Sequence, residues 1–220
     1  MAENSFKNVS TQPKPFFLLP AKTLFLLGGV FSALFIMIAG LVLFGYTNSM
    51  DNAIFSLMRS NSSNPILDQA LRRVVFLGSS QFVLPLSLLV GVFLSLYRRN
   101  LALGVWFVLS VILFEALLES LKHLFLHSVQ WLSHSANFPS VIALSLTLFY
   151  GLLVLLIPHL ITHQTLKKVL FYSLFGLIFL IGLVLIVLGV SFSSVLGGVC
   201  LGALGACFSI GIYLSVFQKI

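Results

Sequence analysis

Six long apolar runs dominate the chain, at about 23–46, 80–97, 101–121, 138–158, 168–189 and 194–217. Each is long enough for an α-helix to cross about 30 Å of hydrocarbon at about 1.5 Å per residue. The first two runs are separated by a polar connection, 47–79. Within it, Asn64-Pro65 opens a segment with Leu67, Leu71, Val74 and Val75 on one face and Asp68, Gln69, Arg72 and Arg73 elsewhere. That spacing predicts an amphipathic helix lying in the membrane interface. Arg98-Arg99-Asn100 leaves room only for a tight turn between the second and third runs. The pattern predicts an all-α, polytopic membrane protein: a six-transmembrane-helix bundle with one extra interfacial amphipathic helix. The bundle forms a single membrane domain over 22–220, behind a polar N-terminal segment, 1–21.

Composition agrees with this and excludes soluble classes. Hydrophobic residues make up 59% of the chain and charged residues 8%, with a mean hydropathy of +1.12. A formal net charge of +7 would suggest nucleic acid in a soluble protein. Here the basic residues lie mostly in short loops, where they set orientation, and no nucleic-acid partner is expected. With the N-terminus inside, the inner segments hold Lys7, Lys14, Lys22, Arg98, Arg99, Lys167, Lys168 and Lys219, against Arg59, Arg72, Arg73 and Lys122 outside. This excess predicts a multi-pass protein of the cell (inner or plasma) membrane with both termini cytoplasmic. Segment 1–21 has no small-residue cleavage site after a short apolar core, so the first run is expected to be a retained helix.

Few residues in the spans carry chemistry. Glu115, Glu119 and Lys122 share one face of the third run at i, i+4 and i+7. Intramembrane carboxylates face a bundle interior or a wet cavity. Two readings stand: a functional cavity with Lys122 at its mouth, or a structural Glu119–Lys122 pair. His123, His127 and His134 cluster in the next connection, but their spacings of four and seven match no closed zinc pattern. No metal or cofactor is expected. Cys200 and Cys207 are too far apart along one helix for a disulfide and are expected to be buried free thiols. Small residues at Gly198, Gly202 and Ala206 form a ridge that lets another helix approach closely. Asn137 and Pro139 suit a helix cap and first turn, and free amides at such a start are a natural seat for phosphate.

Taken together, several features resemble the type 2 phosphatidic acid phosphatase family of membrane lipid phosphatases. They are six spans, an amphipathic segment before the second, Lys122 closing the third, Phe138-Pro139-Ser140 opening the fourth, and Gly189-Val190 before a glycine-rich sixth. "NPILDQALRRVVFLGS" and "LESLKHLF" also read like family members. The resemblance implies a lipid-phosphatase-type bundle and places three motifs, K-x6-R-P, P-S-G-H and S-R-x5-H-x3-D. In the family the lysine and arginines hold phosphate, one histidine protonates the leaving group, and the last histidine attacks phosphorus, oriented by the aspartate. Here Lys122 is retained, while Val129 and Gln130 stand at the arginine and proline, and His127 at an accessory arginine. Pro139 and Ser140 are kept, but Val141 replaces the glycine and Ile142 the acid histidine. Leu185 stands at the next arginine, Ser191 at the nucleophile, and Ser194 or Val195 at the aspartate.

No catalytic residue is therefore expected. The sequence predicts a catalytically degenerate relative: a non-hydrolytic binder of membrane lipid or lipid-linked phosphate, or a subunit with a protein partner in a membrane complex. Lys122, His127 and Ser140 are the ligand-binding candidates. One alternative is an active extracytoplasmic hydrolase of lipid phosphoric monoesters or isoprenoid diphosphates using reassigned residues. A second is a small transporter or flippase that uses Glu115 and Glu119.

Overall fold

A computed structural model describes residues 20–59, 65–128, 138–161 and 163–217. Among these, eight α-helices follow in order: α1 (Ala21–Leu43), α2 (Asn48–Arg59), α3 (Pro65–Phe76), α4 (Ser80–Arg98), α5 (Leu101–Ser128), α6 (Val141–Leu160), α7 (Gln164–Val187) and α8 (Phe192–Phe217). Six segments are long and apolar enough to cross a membrane, with α3 and α4 running together as one of them. The all-α bundle of six candidate spans is thus as expected from the apolar pattern. The predicted helix after Asn64-Pro65 is α3. The connection 47–79 also holds a second short amphipathic helix, α2, which the sequence reading had taken as polar linker.

α6 and α8 form the centre. Two-thirds of the apolar window in each is buried, against 17% in α1 and α7. The ridge predicted on α8 is what joins them. A Cβ on Gly198 would meet the Ser140 carbonyl at 2.6 Å, and one on Gly202 the Leu144 carbonyl at 2.7 Å, so these backbones nearly touch. Lipid tails are as apolar as leucine, so close van der Waals approach, not water exclusion, holds such a pair together. α1 packs on the far side of α8, α5 contacts both central helices, and α7 packs mainly on α6. The α4–α5 hairpin closes in the same way: a Cβ on Gly91 would lie 3.0 Å from the Gly104 carbonyl. Its tight turn has Arg99 in the left-handed region (φ 51°), and Asn100 Oδ1 accepts from the Ala102 N–H at 3.0 Å.

Two boundaries differ from the sequence reading. α5 continues past Lys122 to Ser128, because Leu124, Phe125 and Leu126 extend its helix-forming run. The cap of α6 is Ser140, not Asn137: its hydroxyl accepts from the Ala143 N–H at 3.4 Å. Pro139 lies just outside the helix, after a cis Phe138–Pro139 bond, and Asn137 itself is outside the described residues. Cys200 and Cys207 are free and buried, as expected.

Candidate functional site

The site is built where α6 begins and α7 turns into α8. Gly189, at φ +92°, ends α7 in a left-handed residue that favours glycine. Its N–H donates to the Ile186 carbonyl, and the Val190 N–H to the Leu185 carbonyl, both at 3.0 Å. These two bonds satisfy the last carbonyls of α7 in a Schellman arrangement and reverse the chain. The reversal carries residues 191–194 onto the start of α6, where the Ser140 N–H donates to the Ser194 carbonyl at 3.0 Å. Phe138 anchors the incoming segment. It is buried, stacks on Phe35 at 6.0 Å, and presses against Gly197, where a Cβ would meet its ring at 2.5 Å.

Each helix start here has one amide capped by a protein side chain. Ser140 caps α6, as above. At α8, the Asp51 carboxylate of α2 accepts from the Ser193 N–H at 3.1 Å and from the Ser193 hydroxyl at 2.6 Å. A carboxylate is favoured at a helix N-terminus by the free amides and the helix dipole. Asp51 therefore occupies the seat that an external anion would take at α8. Beside it the Ser191 hydroxyl donates to the Ser194 hydroxyl at 2.7 Å.

Two cavities adjoin this turn. The first is a polar cleft of about 490 Å³ between α2 and the α7–α8 turn, lined among the described residues by Thr47, Asn48, Asp51, Asn52 and Ser191 and by no basic one. The second is an apolar crevice of about 450 Å³ between α7 and α8, floored by Thr147 and Gly151 of α6. Ile186 and Phe192 belong to the walls of both.

Most other sequence candidates lie apart from these cavities. Lys122 is half-buried on α5 and lines neither. Among the described residues no ion pair joins it to Glu119, which is exposed; the ion pair there is Arg72 with Asp68 at 3.0 Å. Glu115 is half-buried beside the hydroxyls of Ser145 and Ser80, which lie 3.4 Å from each other. Its Oε1 is buried without a hydrogen-bond partner. The side chains of His123 and His127, together with Val129, Gln130 and His134, are outside the described residues. No group of three metal-binding side chains occurs among the described ones. Asp51, Asn48 and Asn52 were missed by the sequence reading. The signal available was the helical spacing of Met50, Ile54 and Leu57, which places Asp51 on a helix but not beside a serine 142 positions away.

Comparison with solved structures finds a crystal structure titled as the first transmembrane PAP2 type phosphatidylglycerolphosphate phosphatase from Bacillus subtilis. It superposes with a TM-score of 0.73 at 22% identity, covering 88% of this chain and 98% of that one. The chain has the PAP2-type fold. No family model matches the sequence, and no curated protein matches it. The PAP2-type fold explains why the two turns meet, since the positions that the resemblance assigns to the second and third motifs are those that join at Ser140 and Ser194. Their side chains are a different matter. Ile142 packs towards Gly78 in the α3–α4 turn. Leu185, where the resemblance puts an arginine, is 1% exposed in the main core, and Val195 is 4% exposed.

Proposed function

We propose that this PAP2-type protein binds a membrane lipid without hydrolysing it, in the cell membrane and with both termini on the cytoplasmic side. The observation that carries the reading is the capping of one first-turn amide at each helix start by the protein's own side chains, Ser140 at α6 and Asp51 at α8. A phosphatase of this design needs those amides, cationic donors and a nucleophile with its base. Here the Ser191 hydroxyl is spent on Ser194, and both Asp51 oxygens are engaged by Ser193. Leu185 puts a buried hydrocarbon where, by the resemblance, a guanidinium would stabilise the transferring phosphoryl group. Each missing donor of that kind costs on the order of 10²–10³ in rate. The cavity polarity supports a lipid ligand, because an apolar crevice and a polar cleft share a wall.

The test is phosphate release by purified protein from lipid monophosphates and isoprenoid diphosphates in mixed micelles. Release should stay at the detergent blank. Turnover that disappears in Ser191→Ala or Lys122→Ala would overturn the non-hydrolytic reading and favour an enzyme with reassigned residues. A transporter reading draws on one observation, the buried and unpartnered Glu115 Oε1 at the α4–α5–α6 junction. Membrane carboxylates of this kind commonly mark ion or proton paths.

A further inference from the structure

α2 wears its polarity the wrong way round for a helix at a protein–water surface, which turns its apolar stripe to the core and its polar face outwards. Its side of the cleft carries Asn48, Asp51 and Asn52, together with Ile54 and Phe55. At about 100° per residue, Met50 and Leu57 fall on one line of the helix, opposite Asn48 and Asn52. Both point away from the bundle, Met50 44% and Leu57 68% exposed, and Ala53 between them is exposed too. The polar face is therefore turned inwards and the apolar stripe outwards.

Two contacts fix the level at which α2 sits. Asp51 accepts from the Ser193 N–H and hydroxyl, and one turn further on the Phe55 ring lies 3.1 Å from where a Cβ on Gly189 would stand. Both partners flank the α7–α8 turn, so α2 lies level with the ends of those spans. The outward surface of α1 leads to the same place. Leu41 and Leu43 near the end of that candidate span are exposed, and the turn that follows carries Phe44 and Tyr46, also exposed, with ring centroids 6.4 Å apart. Tyrosine at the end of a span is characteristic of the membrane–water boundary. The lipid-facing surface of α1 thus continues through Phe44 and Tyr46 to Met50. A few side chains offer far less than the roughly 800 Å² per partner of a stable protein interface, but they suit the acyl boundary, where the apolar face of an amphipathic helix buries.

We propose that α2 is seated in the lipid leaflet at this end of the bundle, with Tyr46, Met50, Ala53 and Leu57 against acyl chains and Asn48 and Asn52 turned from them into the cleft. α2 is then a lipid-supported wall, held by the leaflet on one side and by the Asp51–Ser193 hydrogen bonds on the other. The inference holds whether the cleft binds a ligand, hydrolyses one or does neither.

The experiment places a nitroxide at Met50→Cys, Leu57→Cys and Asn52→Cys, one at a time, in the full-length protein in phosphatidylcholine–phosphatidylglycerol vesicles. Cys200 and Cys207 are free and buried, so wild type taken through the same labelling sets the background. Power saturation compares collisions with oxygen, which concentrates in hydrocarbon, and with a water-soluble nickel chelate. At Met50 and Leu57 oxygen collisions should exceed nickel collisions several-fold, and the ratio at Asn52 should be clearly lower. Nickel-dominated collisions at the two stripe positions would put them in water, and weak collisions with both reagents would put them under protein; either result overturns the proposal. So does an equal ratio at all three positions, since a helix with one face in lipid is not uniform. Hydroxyl-radical footprinting of wild type in the same vesicles needs no substitution. Met50 should oxidise as slowly as Met37, 56% exposed within the α1 span, and several-fold faster oxidation of Met50 would also refute its seat in the leaflet.

Discussion

Replacing Gly202 with alanine should loosen the central helix pair by a calculable amount. The added Cβ would lie 2.7 Å from the Leu144 carbonyl oxygen, 2.9 Å from Thr147 Cβ and 3.0 Å from the Leu148 nitrogen. Two of these atoms belong to the α6 hydrogen-bond ladder and cannot swing aside, so the helices must part by several tenths of an ångström. Overpacking costs about 1–3 kcal/mol, and collision with backbone puts this site near the upper end, at about 3 kcal/mol. Alanine recovers about 1 kcal/mol of helix propensity relative to glycine. The net loss is about 2 kcal/mol, or about 4–8 °C in Tm for a chain of this size. Cys200 and Cys207 are free and buried, so a thiol-reactive fluorogenic dye reports unfolding directly during heating in detergent. Gly176→Ala is the control, with the same propensity gain and nothing within 4 Å of its Cβ; its Tm should hold or rise. A Gly202→Ala protein that melts at or above wild type would refute the close-approach argument.

Two further outcomes follow from the polar groups. Asp51→Ala should lower Tm by a few degrees, since loss of a helix cap costs about 0.5–2 kcal/mol. Adding Ser193→Ala to it should then cost less than the separate effects summed, and strict additivity would argue against the Asp51–Ser193 coupling. Glu115→Gln should leave Tm unchanged or raise it, because a neutral amide replaces a carboxyl whose Oε1 has no partner; a drop of several degrees would mean the carboxylate is held. The same variant in proteoliposomes decides the transporter reading, which requires loss of lipid or ion flux and fails if flux persists.

Local pattern was enough to read the spans, the tight Arg98–Asn100 turn and the amphipathic α3, because hydrophobic periodicity and length are properties of a single segment. The glycine ridge on α8 was legible for a similar reason, since four-residue spacing of small residues has one main use between helices in a membrane. α2 was not read, because its twelve residues are too few for a spanning run and too polar to stand out. The end of α5 was placed early because Lys122 and His123 interrupt an apolar run without interrupting the helix. The site was half legible. Ser140, Ser191 and Ser194 could be placed by resemblance, and the structure brings them together. Asp51 could not, because what puts it at the head of α8 is a contact across 142 positions. Nor does sequence reveal that Lys122 lines neither cavity, since that depends on how α5 packs.

The position of α8 in the chain bears on how the bundle assembles during synthesis. α1 precedes the other described helices along the chain, yet the helix it packs on most extensively is α8, which follows all of them. Until α8 arrives, the face of α1 around Leu24 and Gly28 has only lipid beside it, and the glycine-contacting face of α6 is likewise uncovered. Closure of the core thus waits for α8, the glycine-rich helix that packs against both α1 and α6.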